Sequence, residues 1–167
     1  MELFRFFEWL GNTPWSIALH ESRYVFLFVL MLHVLTVSVF VGTAVMIDLR
    51  LLGRTMTHVP ASQVIARLVP WSEAGFLVMV VTGSLLFYAS PLARYENVFF
   101  RLKMAALVMA LLNAWVFRRT AYRRVADWDL DAVPPRRARV AGALSLALLA
   151  FIITTGRMMA YSAYWFG

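Results

Sequence analysis

The chain has 167 residues, 62% of them hydrophobic, no cysteine and a formal net charge of +7, with a mean hydropathy of +0.71. Soluble domains run nearer half apolar, so this composition points to the bilayer as solvent. The missing cysteines exclude disulfides, thiolate metal sites and thiol catalysis. The positive charges sit between apolar runs rather than on one soluble face, which argues against nucleic acid as a partner and for acidic lipid headgroups.

The first segment, MELFRFFEWLGNTPW, carries Glu2 and Glu8 and no long apolar run, so it does not read as a signal peptide. Leu3 to Leu10, rich in Phe and Trp, is expected to lie flat on the outer membrane surface, within an interfacial segment 1–12. Span one covers about 24–47 and serves as an uncleaved insertion signal. Its helix has an alternative, earlier start at Thr13-Pro14, a cap followed by proline at the first helical position. Ala61 to Val69 reads as a short amphipathic helix on the inner side, entered at Pro60. Span two runs from about 74 to 90, between Pro70-Trp71 and Pro91. Span three covers about 98–117 and extends through RRTAYRRVADW. Span four follows Pro134-Pro135 and covers about 140–164. Each can cross, or nearly cross, a hydrocarbon core of about 30 Å at about 1.5 Å per residue. No alternating ten-residue pattern suggests a barrel. The expected fold is an all-α, polytopic four-helix membrane bundle, a single domain over 1–167 with no internal repeat.

Charge sets the expected orientation. Ten Arg residues lie on the side of the 1–2 and 3–4 connections: Arg50, Arg54, Arg67 and seven between Arg118 and Arg139. Six cations lie on the other side: Arg5, Arg23, Arg94, Arg101, Lys103 and Arg157. The bias places both termini outward, in the periplasm of a Gram-negative cell, with the chain in the bacterial inner membrane. Trp15, Tyr24, Tyr88, Tyr95, Tyr164 and Trp165 would then line the outer interface, and Trp71, Trp115 and Trp128 the inner one.

Four polar residues stand out inside the expected spans: His33, Lys103, Asn113 and Arg157. An ionisable group there is a functional hypothesis by default. His33 sits nine residues inside Tyr24, about 14 Å deep. It is either a heme, metal or proton-relay group, or a neutral imidazole bonded to Asn113, Thr82 or a carbonyl. Lys103 either snorkels outward or holds an anion such as a heme propionate, or coordinates iron. Arg157 is too deep to snorkel easily and needs a partner, Glu21 or a bound anion. Asn113 suits an interhelical hydrogen bond. Asp48 and Arg50, in IDLRLLG, read as an interfacial ion pair or cap. His20 and His33 are thirteen residues apart, about 140° around one helix. They would not stack along one groove, and His58 lies in a connection, so a simple bis-histidine cytochrome is disfavoured. The nine methionines form no tight MxxM cluster and read as apolar filler rather than a Cu(I) site. The small residues in the spans, Gly42 and the Thr82-Gly83-Ser84 run among them, read as close-packing positions.

Taken together, HV at 33–34 with Gly42 and DLRLLG at 48–53, PW at 70–71, TGSLLFYASP at 82–91, RLKM at 101–104 with Asn113, and GRMMAY at 156–161 form a recognisable pattern. The chain resembles an uncharacterised family of small bacterial four-helix inner-membrane proteins. More distantly, His33 with Gly42 nine residues on, and Lys103 opening span three, resembles CopD-type copper-resistance membrane proteins. The same residues look like those of heme-containing four-helix protoporphyrinogen oxidases. That resemblance implies functional roles for His33 and Lys103. The expected function is a heme-binding, redox-linked membrane protein. His33 is its axial ligand to heme b, Lys103 and Arg157 hold the propionates, and Asn113 lies near the site. A quinone or redox protein is the expected electron partner, and a homo-oligomer could supply a missing ligand. The alternatives are a copper or small-anion module without redox chemistry, or a structural accessory subunit.

Overall fold

The computed structural model describes residues 2–161, so Tyr164, Trp165 and the end of span four lie outside the described residues. Seven α-helices are present among them: α1 (Glu2–Gly11), α2 (Pro14–Glu21), α3 (Arg23–Leu51), α4 (Ala61–Tyr88), α5 (Pro91–Glu96), α6 (Val98–Arg119) and α7 (Arg136–Met159), with a 3₁₀ turn at Tyr122–Asp127. Helices α3, α4, α6 and α7 are long and apolar enough to cross a membrane. This is the all-α architecture of a multi-pass four-helix membrane bundle.

Local chemistry sets where the helices start and stop. Pro14 opens α2, as its fixed φ allows. At Ser22 the backbone turns extended (φ −75°, ψ 92°) and the Ser22 hydroxyl accepts the Val25 N–H at 3.4 Å. The cap starts a new helix there. His20 and His33 therefore lie on different helices, and the one-helix angle between them does not apply. Asn97 caps α6 in the same way, accepting from the Phe99 and Phe100 N–H groups at 3.0 and 3.3 Å. Ala61 to Val69 is not a separate helix. It continues through Pro70 into the span as one helix of 28 residues. Proline removes one donor, and membrane helices tolerate that loss.

In the bundle α3 packs along α4, α6 along α7, and α3 along α7. Small residues make these approaches possible. A Cβ on Gly75 would meet Phe40 at 3.4 Å, and one on Gly142 would meet the Asp48 carbonyl at 3.0 Å. Gly42, read from the sequence as a packing position, faces nothing within 4 Å. Helices α4 and α6 share no comparable interface. They are fastened near each end, by the Phe87–Phe100 stack at 5.4 Å and by the Arg118–Glu73 ion pair at 2.6 Å. At the first of these ends Phe7 of α1 packs on Phe87 and on Tyr95, closing an aromatic cap.

The end that carries the two long connections holds a compact core of Leu51, Ala61, Ile65, Ala121, Trp128 and Ala138. Trp128 is buried there, its indole N–H donating to the Ala121 carbonyl at 3.3 Å, rather than lying in an interfacial belt. Arg50 is 0% exposed. Its Nε donates to the Val59 carbonyl at 3.1 Å, and its Nη2 to those of Asp129 and Asp131 at 3.2 and 3.4 Å. One guanidinium thus ties the end of α3 to both connections. Arg50 does not pair with Asp48. Among the described residues the one ion pair is Arg118–Glu73, and Asp48 Oδ2 and Arg50 Nη1 are buried without partners. Gly53 turns the chain at φ +69°, where a Cβ would sit 2.7 Å from the Ala132 carbonyl oxygen. Asp129 caps α4 from across the chain: its carboxylate accepts the Ser62 N–H and the Ser62 hydroxyl, each at 2.7 Å. Those bonds, the backbone N–H foremost, hold its carboxyl below the ordinary carboxylate value.

Candidate functional site

His33 sits about a third of the way along α3, with its ring against α4. Its Nδ1 lies 2.8 Å from the Thr82 hydroxyl. That hydroxyl is itself 2.8 Å from the Val78 carbonyl, to which it donates. With the hydroxyl proton committed, its oxygen accepts from Nδ1–H, and the Met79 carbonyl offers a further acceptor to the ring. The proton is thereby fixed on Nδ1, and the lone pair lies on Nε2. Nε2 has no hydrogen-bond partner among the described residues and is not one of the sealed-off polar atoms. Gly83 gives the ring its place: a Cβ there would come within 3.2 Å of His33 Cε1. Of the partners weighed from the sequence, Thr82 is the one the fold supplies. Asn113 is engaged elsewhere, its amide donating to the Ala141 carbonyl at 2.9 Å and joining α6 to α7.

Lys103 comes from the other helix pair. Its stem lies on Gly156 of α7, where a Cβ would be 3.6 Å from Nζ. Lys103 is within electrostatic range of His33, so the two sequence-predicted residues share one region between the pairs. Arg157 does not join them. It is exposed at the end of α7, and its Nη2 donates to the Tyr161 hydroxyl at 2.7 Å with the guanidinium 4.9 Å from that ring. The expected partner Glu21 makes no ion pair with it. In its place stands Arg94 of α5, half-buried and within electrostatic range of Lys103. Sequence reasoning counted Arg94 only as a charge. The available signal was its position, three residues before the Asn97 cap. Burial draws the Arg94 guanidinium below the ordinary arginine value.

His20, on α2, is exposed and bonded through Nδ1 to the Ser90 hydroxyl at 3.0 Å, apart from His33. Among the described residues no group of three or more His, Asp or Glu side chains is placed to hold a metal ion. The site is thus one imidazole with a fixed tautomer and an open nitrogen, beside cations that lack a carboxylate. Such a set can hold a neutral donor's ligand and an anionic group together. Searches against curated proteins and against solved structures gave no match. The model of a family of unknown function, DUF6644, matches residues 6–162, and the chain belongs to that family.

Proposed function

We propose that the protein is a heme-binding, redox-linked component of the bacterial inner membrane, with both termini outward and His33 Nε2 as the axial ligand. The observation that carries this reading is the Thr82 hydroxyl on His33 Nδ1. Metal-binding histidines characteristically give their other ring N–H to such an acceptor, which fixes the tautomer and aims the lone pair. The donor set suits heme b: a neutral imidazole for iron, and Lys103, within electrostatic range of that imidazole, for a propionate or as a second ligand. A bound heme would supply one-electron chemistry, with a quinone or a redox protein as the exchange partner. The chain's own part is to hold the imidazole, to place positive charge beside it and to keep the region out of water between two helix pairs. The distant resemblance to heme-containing oxidases through His33 and Lys103 supports the same reading.

The test is the visible spectrum of protein purified from cells with ample heme. A Soret band with reducible α and β bands, lost in His33→Ala, is the expected result. A colourless preparation refutes the proposal. The cations without acid partners favour one second reading, a non-redox module for a small anion, which predicts anion binding by colourless protein.

A further inference from the structure

Two cations, Arg94 and Lys103, are half-buried near the aromatic end of the bundle and within electrostatic range of each other. Like charges in such a place repel, and the repulsion is strongest where water is scarce. Neither has a carboxylate at ion-pair distance among the described residues, and Glu96, the acid nearest Arg94 in sequence, is exposed and makes no ion pair. Geometry nevertheless holds both where they are. Lys103 is laid along Gly156, and Arg94 is carried on the short helix that the Asn97 cap joins to α6. Helices α4 and α6 pack little against each other, which leaves a seam between them. Between its fastenings it runs about 21 Å along α4, from Glu73 to Phe87, and about 27 Å along α6, from Phe100 to Arg118.

We infer that Arg94 and Lys103 together form a carboxylate seat for the planar, membrane-dissolved ligand that His33 faces. This rests on reading the site as one for a carboxylated tetrapyrrole, and it assigns to Arg94 the part expected of Arg157. An anion between them cancels the repulsion, and each cation contributes a charge-assisted hydrogen bond.

The experiment uses the full chain in detergent micelles and metal-free protoporphyrin IX, whose binding needs no axial ligand, against its dimethyl ester, which lacks the two charges. Fluorescence titration is expected to show the free acid bound at least tenfold more tightly than the ester. Arg94→Gln and Lys103→Gln should each remove most of that preference while leaving the ester's affinity unchanged. Arg94→Lys, which keeps the charge, should retain much of it, and Arg157→Gln should leave it intact. Equal affinity for acid and ester in the unaltered protein, no binding of either, or an unchanged ratio in both Gln variants overturns the seat. Loss of the preference in Arg157→Gln overturns it as well. Hemin run in parallel separates the two claims. If the acid preference behaves as expected but hemin shows no Soret shift that depends on His33, the seat stands and iron ligation by His33 falls.

Discussion

Replacing Arg50 with methionine is expected to loosen the connection end of the bundle while leaving the spans intact. The side chain is 0% exposed and donates three hydrogen bonds to main-chain carbonyls, at 3.1, 3.2 and 3.4 Å. A hydrogen bond from a charged donor contributes about 1.5–3 kcal/mol, less at the longest of these distances. Against this stands the desolvation of a guanidinium whose Nη1 finds no partner, an effect of several kcal/mol in the opposite direction. Methionine keeps the apolar stem, and the carbonyls of Asp129 and Asp131 lie in a connection that water can reach. The net loss should therefore be about 2–4 kcal/mol, below the sum of the bonds. Arg50→Lys should recover only part of it, because a compact ammonium cannot span the carbonyls of both connections. Unfolding by SDS titration, followed by far-UV circular dichroism, measures the difference. Tryptic cleavage at Arg123 and Arg124 should accelerate alongside it. A loss under about 1 kcal/mol in Arg50→Met, with unchanged cleavage, would show that the guanidinium is not the tie between α3 and the connections.

Other substitutions separate holding the ligand from holding the fold. Thr82→Val keeps the shape but removes the acceptor on His33 Nδ1, and hemin affinity in micelles should fall about tenfold or more with little change in stability. Unchanged affinity would contradict the orienting role. Gly83→Ala should act with opposite signs on the two quantities. Alanine favours the helix by about 1 kcal/mol, but its Cβ would sit 3.2 Å from His33 Cε1 and displace the ring, so hemin binding should weaken while the unfolding midpoint holds or rises. Asp129→Asn weakens the cap on α4 and should cost about 1 kcal/mol at neutral pH. Because the folded-state value of Asp129 is depressed, its contribution is complete above the ordinary value of 3.8 and disappears as the pH falls below it. Acid titration of stability should therefore be flatter in the variant over that window.

The four spans were legible because each is an unbroken apolar run with a proline, cap or charge cluster at its edges. The break at Ser22 was harder to see, since Thr13-Pro14 also offers a start signal and the choice rests on one hydroxyl. The continuity of α4 through Pro70 ran against the usual rule, and proline chemistry alone cannot tell a kink from a stop. Within the site, His33 was conspicuous as an imidazole in an apolar run, and Thr82 was among its foreseen partners. Its neighbour Gly83 could not be singled out from the other small residues, because all favour close approach and only register decides which one meets the ring. Arg50 was misread for a related reason. Its partners are main-chain carbonyls 9, 79 and 81 residues away, and carbonyls have no signature in a sequence. Arg157 shows the converse case: depth along a helix suggested a buried charge, while a tyrosine one turn on offers it a way out.

The two fastenings of the α4–α6 seam answer to different variables. The Arg118–Glu73 pair is 59% and 61% exposed in its side chains, so its attraction fades over a Debye length that shrinks from about 10 Å at 0.1 M salt to about 3 Å at 1 M. The Phe87–Phe100 stack has no charge to screen, and the rings of Phe7 and Tyr95 crowd about it. Salt thus weakens one fastening of the seam and leaves the other unchanged. Beyond the ion pair that end of the bundle stays joined, because the apolar core where Ile65 and Val69 of α4 and Phe117 of α6 meet around Trp128 has no charge to screen either.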